Sequence, residues 1–223
     1  MAERILVVNP NSSASCTAGI VEALAPFASP GLPRFEVVSL PEGPPAIVTW
    51  RDWHAVVEPL CRLVERELAA AYVVACVSDP GVDALRTVTR RPVIGPLRAA
   101  VASALARADR FGIIALGDAS LPRQRRALQA MGVEARLAAH HPMNLPMDVL
   151  TDPVAPRRAL CEAARRMVGQ GAETVILGCA GMAGHRTAVE DAAGVPVIEP
   201  CQAAAAQALL AVLAARAGVA VAA

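Results

Sequence analysis

Two cysteines stand in matching surroundings. Tyr72-Val73-Val74-Ala75-Cys76 leads into Val77-Ser78-Asp79-Pro80-Gly81, a short helical stretch and Pro92-Val93-Ile94-Gly95-Pro96. Val175-Ile176-Leu177-Gly178-Cys179 leads into Ala180-Gly181-Met182-Ala183-Gly184, a short helical stretch and Pro196-Val197-Ile198-Glu199-Pro200. The proline follows the cysteine by 16 residues in the first copy and by 17 in the second. An echo in this register points to two similar half-molecules related by a pseudo-twofold axis. Each cysteine is expected to end a buried strand and to precede a helix directly, the place where open α/β sheets bind ligands. Backbone N–H groups and the positive end of the following helix would draw each thiol toward thiolate. Two thiols flanking one carbon can take a proton from one face and return one to the other, which is racemisation or epimerisation without a cofactor. The carbanion or enolate formed would need donors at its oxygen, and the backbone at Val77, Ser78, Ala180 and Gly181 is suited to supply them. A buried cysteine is more often a small hydrophobe, but the small and polar residues after Cys76 and Cys179 favour a functional pair. Their separation of 103 residues is unlike the Cys-X-X-Cys spacing of redox pairs.

Other residues contribute less. The first turn, Val8-Asn9-Pro10-Asn11-Ser12-Ser13, joins a strand to a helix start, and Asn11 has the donor and acceptors to orient an amide or carboxylate, or equally to shape the turn. Cys16, Cys61, Cys161 and Cys201 fall inside expected helices and read as packing residues. His54, His140, His141 and His185 form no ligand set; His185, after Cys179, reads as a partly exposed helix residue. No metal site is expected, and the six cysteines should be free thiols of a cytoplasmic protein.

All 21 basic residues are Arg. Without Lys there is no internal Schiff base, so pyridoxal-phosphate enzymes and lysine aldolases are excluded, as is the P-loop lysine of nucleotide hydrolases. A net charge of +1 supplies no electrostatic footprint for nucleic acid or an anionic membrane. Neither a signal peptide nor a transmembrane span is expected. The partner is therefore a small molecule.

Positioning these residues falls to alternating β and α segments, the pattern of an α/β fold with parallel sheets. Strands are expected at Arg4–Asn9, Phe35–Leu40, Tyr72–Cys76, Pro92–Ile94, Phe111–Leu116, Val133–Ala138, Thr174–Cys179 and Val195–Ile198. Helices are expected near Ala14–Ala25, Trp53–Ala69, Arg157–Val168 and Cys201–Ala215. Leu40–Ile47 and His140–Pro153 read as irregular loops. With 55 % hydrophobic but only 3 % aromatic residues, the core must be built mainly of Ala, Val and Leu.

The chain resembles the cofactor-independent aspartate/glutamate racemase superfamily, and within it the hydantoin and allantoin racemases. The resemblance is carried by Val8-Asn9-Pro10-Asn11-Ser12, by Ala75-Cys76 with Asp79-Pro80-Gly81-Val82-Asp83-Ala84-Leu85, and by Leu177-Gly178-Cys179-Ala180-Gly181-Met182-Ala183; Asn144-Leu145-Pro146 and Pro196-Val197-Ile198 fit too. It implies two Rossmann-like lobes, residues 1–96 plus 200–223 and an inserted 97–199, with the active site in the cleft between them. It also implies a homo-oligomer, Cys76 and Cys179 as opposed acid and base, and a 5-substituted hydantoin or allantoin as substrate. The chain departs from the family where Ile114-Ala115-Leu116-Gly117-Asp118 replaces a common Thr-Thr-Leu, where Ile94-Gly95-Pro96-Leu97-Arg98 replaces Gly-Ile-Gly-Glu-Ala, and at Ser78, commonly Gly in hydantoin racemases. Arylmalonate decarboxylase or maleate isomerase chemistry on the same scaffold, and a non-catalytic two-lobed binding protein, are the alternatives. Alkylation of the pair by iodoacetamide faster than of the other four cysteines, with protection by substrate, would separate an enzyme from a binding protein.

Overall fold

A computed structural model describes residues 3–218. Each half of the chain builds a four-stranded, all-parallel sheet. The first half runs β1 (Arg4–Asn9), α1 (Ala14–Leu24), β2 (Arg34–Ser39), α2 (Trp50–Ala55), α3 (Val57–Arg66), β3 (Ala71–Val74), α4 (Val82–Val88), β4 (Val93–Ile94) and α5 (Pro96–Leu105). The second runs β5 (Phe111–Ala115), α6 (Leu121–Ala130), β6 (Leu137–Pro142), α7 (Met147–Leu150), α8 (Arg157–Gly169), β7 (Thr174–Gly178), α9 (Arg186–Ala193), β8 (Val197–Ile198) and α10 (Pro200–Arg216). The strand orders, β2-β1-β3-β4 and β6-β5-β7-β8, are the same topology twice, as the cysteine echo predicts. Of the residues assigned to the two lobes, 1–2 and 219–223 lie outside the described part.

Burial explains why these strands form. Ile5, Leu6, Val7 and Val8 of β1 are all buried, giving a continuous apolar run because helices cover both sheet faces. Successive side chains serve different cores. Ile5 and Val7 join Phe111, Ile113 and Ile176 in a core shared by both halves, while Leu6 and Val8 pack outward against Leu60, Val64 and Leu85. On the far side, Ile114, Val175 and Leu177 pack against Leu160, Met167 and Val189. The shared core is closed by α5 and α10 through Ala99, Ala100, Ala104, Ala203, Ala204 and Ala208. Small side chains let these helices approach the sheets closely, which accounts for a composition rich in Ala and poor in aromatics.

The structure departs from the sequence reading in several places. The strand expected at Val133–Ala138 begins only at Leu137, because Glu134–Arg136 form a single 3-10 turn. That strand runs into the segment read as loop, pairing His140 with Ile113 and His141 with Ile114. The helix expected over Trp53–Ala69 is two helices meeting at Val56, the first started by a capping box between Thr49 and Asp52. Strand β3 stops at Val74, so Cys76 lies in the turn beyond it. Among the described residues no helix is long and apolar enough to cross a membrane.

Candidate active site

The carboxyl ends of the two central strands of each sheet converge on one cavity. Asn11 follows β1; Ala75, Cys76, Val77 and Ser78 follow β3; Leu116 and Ser120 follow β5; Gly178, Cys179 and Ala180 follow or end β7. Since β1 and β3 occupy the places of β5 and β7 in the identical strand orders, the pseudo-twofold passes through this cavity. Both cysteines line it from equivalent turns, and both are free thiols.

Each thiol is received by its own turn. The backbone N–H groups of Ser78 and Gly181, each two residues beyond its cysteine, favour the thiolate forms of Cys76 and Cys179 respectively. The Ser78 hydroxyl lies 3.5 Å from the Cys76 sulfur, and the Trp53 indole donates to the Ser78 carbonyl at 2.9 Å, holding that turn. Gly181 stands behind Cys179 rather than among the cavity-lining residues. A Cβ there would come within 3.1 Å of the Thr151 methyl and 3.3 Å of the Met147 sulfur, so a larger residue would need both side chains to give way.

The expectation of thiols lowered toward thiolate is not met. Burial pushes Cys76 up to about 11, with the Ser78 bonds and the Arg123 charge pulling the other way. Cys179 is raised further by burial, with the Cys16 thiol adding to it and, less strongly, Cys76 and Glu199. The missing helix effect has a structural cause. The helix after Cys76 does not start until Val82, and Cys179 is followed by the 3-10 turn Ala180–His185. The two well-formed helix starts nearby are already occupied by carboxylates. Asp79 accepts from Leu97 N at 2.9 Å and Arg98 N at 3.1 Å at the start of α5, and Glu199 accepts from Cys201 N and Gln202 N at the start of α10.

Asn11 shapes its turn and also lines the cavity. Its Oδ1 accepts from the Asn9 side chain and from Ser13 N, both at 2.9 Å, shaping the turn, while its Nδ2 has only the Cys16 sulfur at 3.9 Å and remains available to a ligand. Cys16, read as a packing residue, is buried yet also reaches the cavity. His185 is not exposed: it is 2 % accessible and its Nε2 meets the Asp152 carbonyl at 3.0 Å, outside the cavity.

Arg123 and Gln124, at the start of α6, were not legible as site residues. They sit in the run Arg123-Gln124-Arg125-Arg126, which looks like a solvated helix face, yet both are buried and line the cavity. Arg123 donates to the Val48, Ile47 and Ala119 carbonyls at 2.6, 3.2 and 2.8 Å, and its buried Nε has no partner. The one available signal was position, since α6 follows a central strand on the ligand-binding side of the sheet. Ile47, Leu116 and Met147 add an apolar wall, and Ser120 supplies a hydroxyl that Ile114–Asp118 lacks.

A sequence model described as "Asp/Glu/Hydantoin racemase" matches residues 5–208, which includes every strand of both sheets except the first residue of β1. The chain belongs to the Asp/Glu/hydantoin racemase family. It is 36 % identical over 211 residues to a hydantoin racemase of Paenarthrobacter aurescens, covering 90 % of this chain and 87 % of that protein. It is 33 % identical over 207 residues to a hydantoin racemase of Pseudomonas sp. (strain NS671), covering 88 % and 80 %. A solved allantoin racemase from Klebsiella pneumoniae superposes with a TM-score of 0.87 at 28 % identity, covering 99 % of this chain and 91 % of that one. This racemase is therefore an isomerase with the two-sheet α/β fold of its relatives.

Proposed function

We propose that this racemase inverts the stereocentre beside a carbonyl in a 5-substituted hydantoin, using Cys76 and Cys179 as opposed base and acid and no cofactor. The observation that carries this reading is the pair of thiols presented to one cavity from equivalent turns of two equivalent sheets. In one direction the Cys76 thiolate takes the proton from the substrate C–H, and the Cys179 thiol gives its proton to the opposite face of the carbanion. The product leaves with Cys76 as thiol and Cys179 as thiolate, and the reverse direction exchanges the roles. Cys76 is assigned as the first thiolate because Ser78 and Arg123 favour its charge, whereas Cys179 faces another thiol and a carboxylate. The free Nδ2 of Asn11 is placed to hold a ring carbonyl, with Val77 and Ala180 as flanking walls. Ile47, Leu116 and Met147 favour an apolar ring substituent over the polar ureido group of allantoin.

The lobe boundaries are read as 1–96 plus 200–223 and 97–199, supported by the packing of α10 on α1, β3 and β4. Six free thiols fit a reducing, cytoplasmic setting, and the homo-oligomer reading rests on the family resemblance. A one-thiol decarboxylase would leave Cys76 without a role.

The test follows loss of optical rotation of enantiopure 5-benzylhydantoin and of allantoin with wild type, Cys76→Ser and Cys179→Ser. Wild type is expected to racemise the hydantoin faster, and each substitution to lower kcat by about 10³-fold, within the range of acid–base contributions. Racemisation of neither compound by folded protein would sink the substrate assignment, and full activity in either variant would sink the mechanism.

A further inference from the structure

Both turns that carry the cysteines are held by one amide. The Gln124 Nε2 donates to the Val77 carbonyl at 2.9 Å and to the Gly178 carbonyl at 3.1 Å. Val77 directly follows Cys76, and Gly178 directly precedes Cys179. The two protons of a single nitrogen are thus spent on two turns that belong to different sheets. Gln124 is buried, with 1 % of its surface exposed.

The amide is itself oriented. The His140 Nε2 lies 2.7 Å from the Gln124 Oε1. Because both amide protons face carbonyls, Oε1 must be the acceptor in this contact and the His140 Nε2 must carry a hydrogen. The remaining nitrogen, Nδ1, is buried without a partner, and burial together with the Arg125 charge lowers His140 to about 4, keeping the ring neutral. A flipped amide would set an oxygen against two carbonyl oxygens, so only this orientation holds both turns, and a His140 Nε2–H donating to Oε1 supports it. No other natural side chain of this length offers two donors on one atom and an acceptor beside it. Ionised Glu has no donor, and Asn is one methylene too short.

We infer that Gln124, oriented by His140, is a positioning residue that sets the distance between the two thiols across the cleft. This rests on the two-thiol mechanism proposed above. In such a mechanism the reprotonating thiol must stand ready when the carbanion forms. If it is displaced, the proton returns to the face it left, and the carbanion lives long enough for the basic cysteine to exchange its proton with solvent. Loss of the clamp should therefore lower kcat more than it raises KM, and should uncouple proton exchange from inversion.

The experiment uses enantiopure 5-benzylhydantoin in D₂O, reading the rate by polarimetry and deuterium in each enantiomer by mass spectrometry after chiral separation. Gln124→Leu is expected to lower kcat about 10²-fold, the scale of an ångström's misplacement, with little change in KM, and to put deuterium into the unreacted enantiomer, where wild type puts none. His140→Leu should act in the same direction, and His140→Gln, whose amide can still donate to Gln124, should recover most of the loss. A folded Gln124→Leu with wild-type kcat and no deuterium in the unreacted enantiomer would overturn the inference. Where Gln124→Leu does not fold, equal kcat in His140→Leu and His140→Gln would overturn it. Wild-type activity in Cys76→Ser or Cys179→Ser would overturn the mechanism beneath it, and is distinguishable because it does not involve Gln124.

Discussion

A buried sulfur resists ionisation, so the acid–base state of the cysteines is set by whatever opposes that cost. At Cys76 the opposing groups are the Ser78 hydroxyl and N–H and the Arg123 guanidinium, and they leave the thiol at about 11. Below that value each pH unit raises the thiolate fraction tenfold, so kcat/KM should climb with a slope of about +1 on a logarithmic scale between pH 7 and 9. A flat profile across that range would contradict the assignment of Cys76 as a raised thiol. Arg123→Met removes a cation that favours the thiolate, so it should raise the Cys76 pKa and lower kcat/KM at pH 8 by roughly tenfold, equivalent to one pKa unit. Slow alkylation by iodoacetamide at neutral pH, accelerating as pH rises, would be the direct chemical sign. Cys76, Cys179, Ser78 and Asn11 were legible in the sequence because each directly follows a strand on the ligand-binding side. Gln124 and His140 were not, since their roles exist only when α6 and β6 meet the two turns.

Among the elements, the start of α5 shows how the site turns are anchored. Asp79 lies three residues beyond Cys76, and its carboxylate accepts two backbone N–H groups of α5 while standing near Arg98 at 3.7 Å. The carboxylate fits there because residue 95 is Gly; a Cβ at that position would collide with it. Asp79→Ala should lower the unfolding free energy by about 1–2 kcal/mol, the usual range for a lost helix cap, measured by urea denaturation. A change near zero would mean that Asp79 does not hold the Cys76 turn to α5. Legibility at this scale followed burial. Strand β1 was readable to the residue because both of its faces are covered, making its apolar run continuous. Strand β6, Leu-Ala-Ala-His-His-Pro, carries neither β-branched residues nor alternation, and only its pairing with β5 makes it a strand. The preceding Val133 drew the expected strand four residues too early.

At the scale of the whole molecule, the repeated strand order was visible beforehand in the spacing from cysteine to proline, because each half must place the same turn at the same strand end. What the spacing could not show is that the halves share one core, with Ile5 and Val7 of the first meeting Phe111, Ile113 and Ile176 of the second. That shared core, with the Gln124 clamp above it, brings two turns 103 residues apart to one cavity. The most direct measurement of that central claim is wild-type racemisation of enantiopure 5-benzylhydantoin in D₂O, stopped at early conversion, with the hydrogen isotope at the stereocentre read in both enantiomers. Two opposed monoprotic thiols predict deuterium in essentially every product molecule and protium in the unreacted enantiomer. Protium carried over into the product would mean that a single group moves the proton between faces, and would contradict the two-cysteine account.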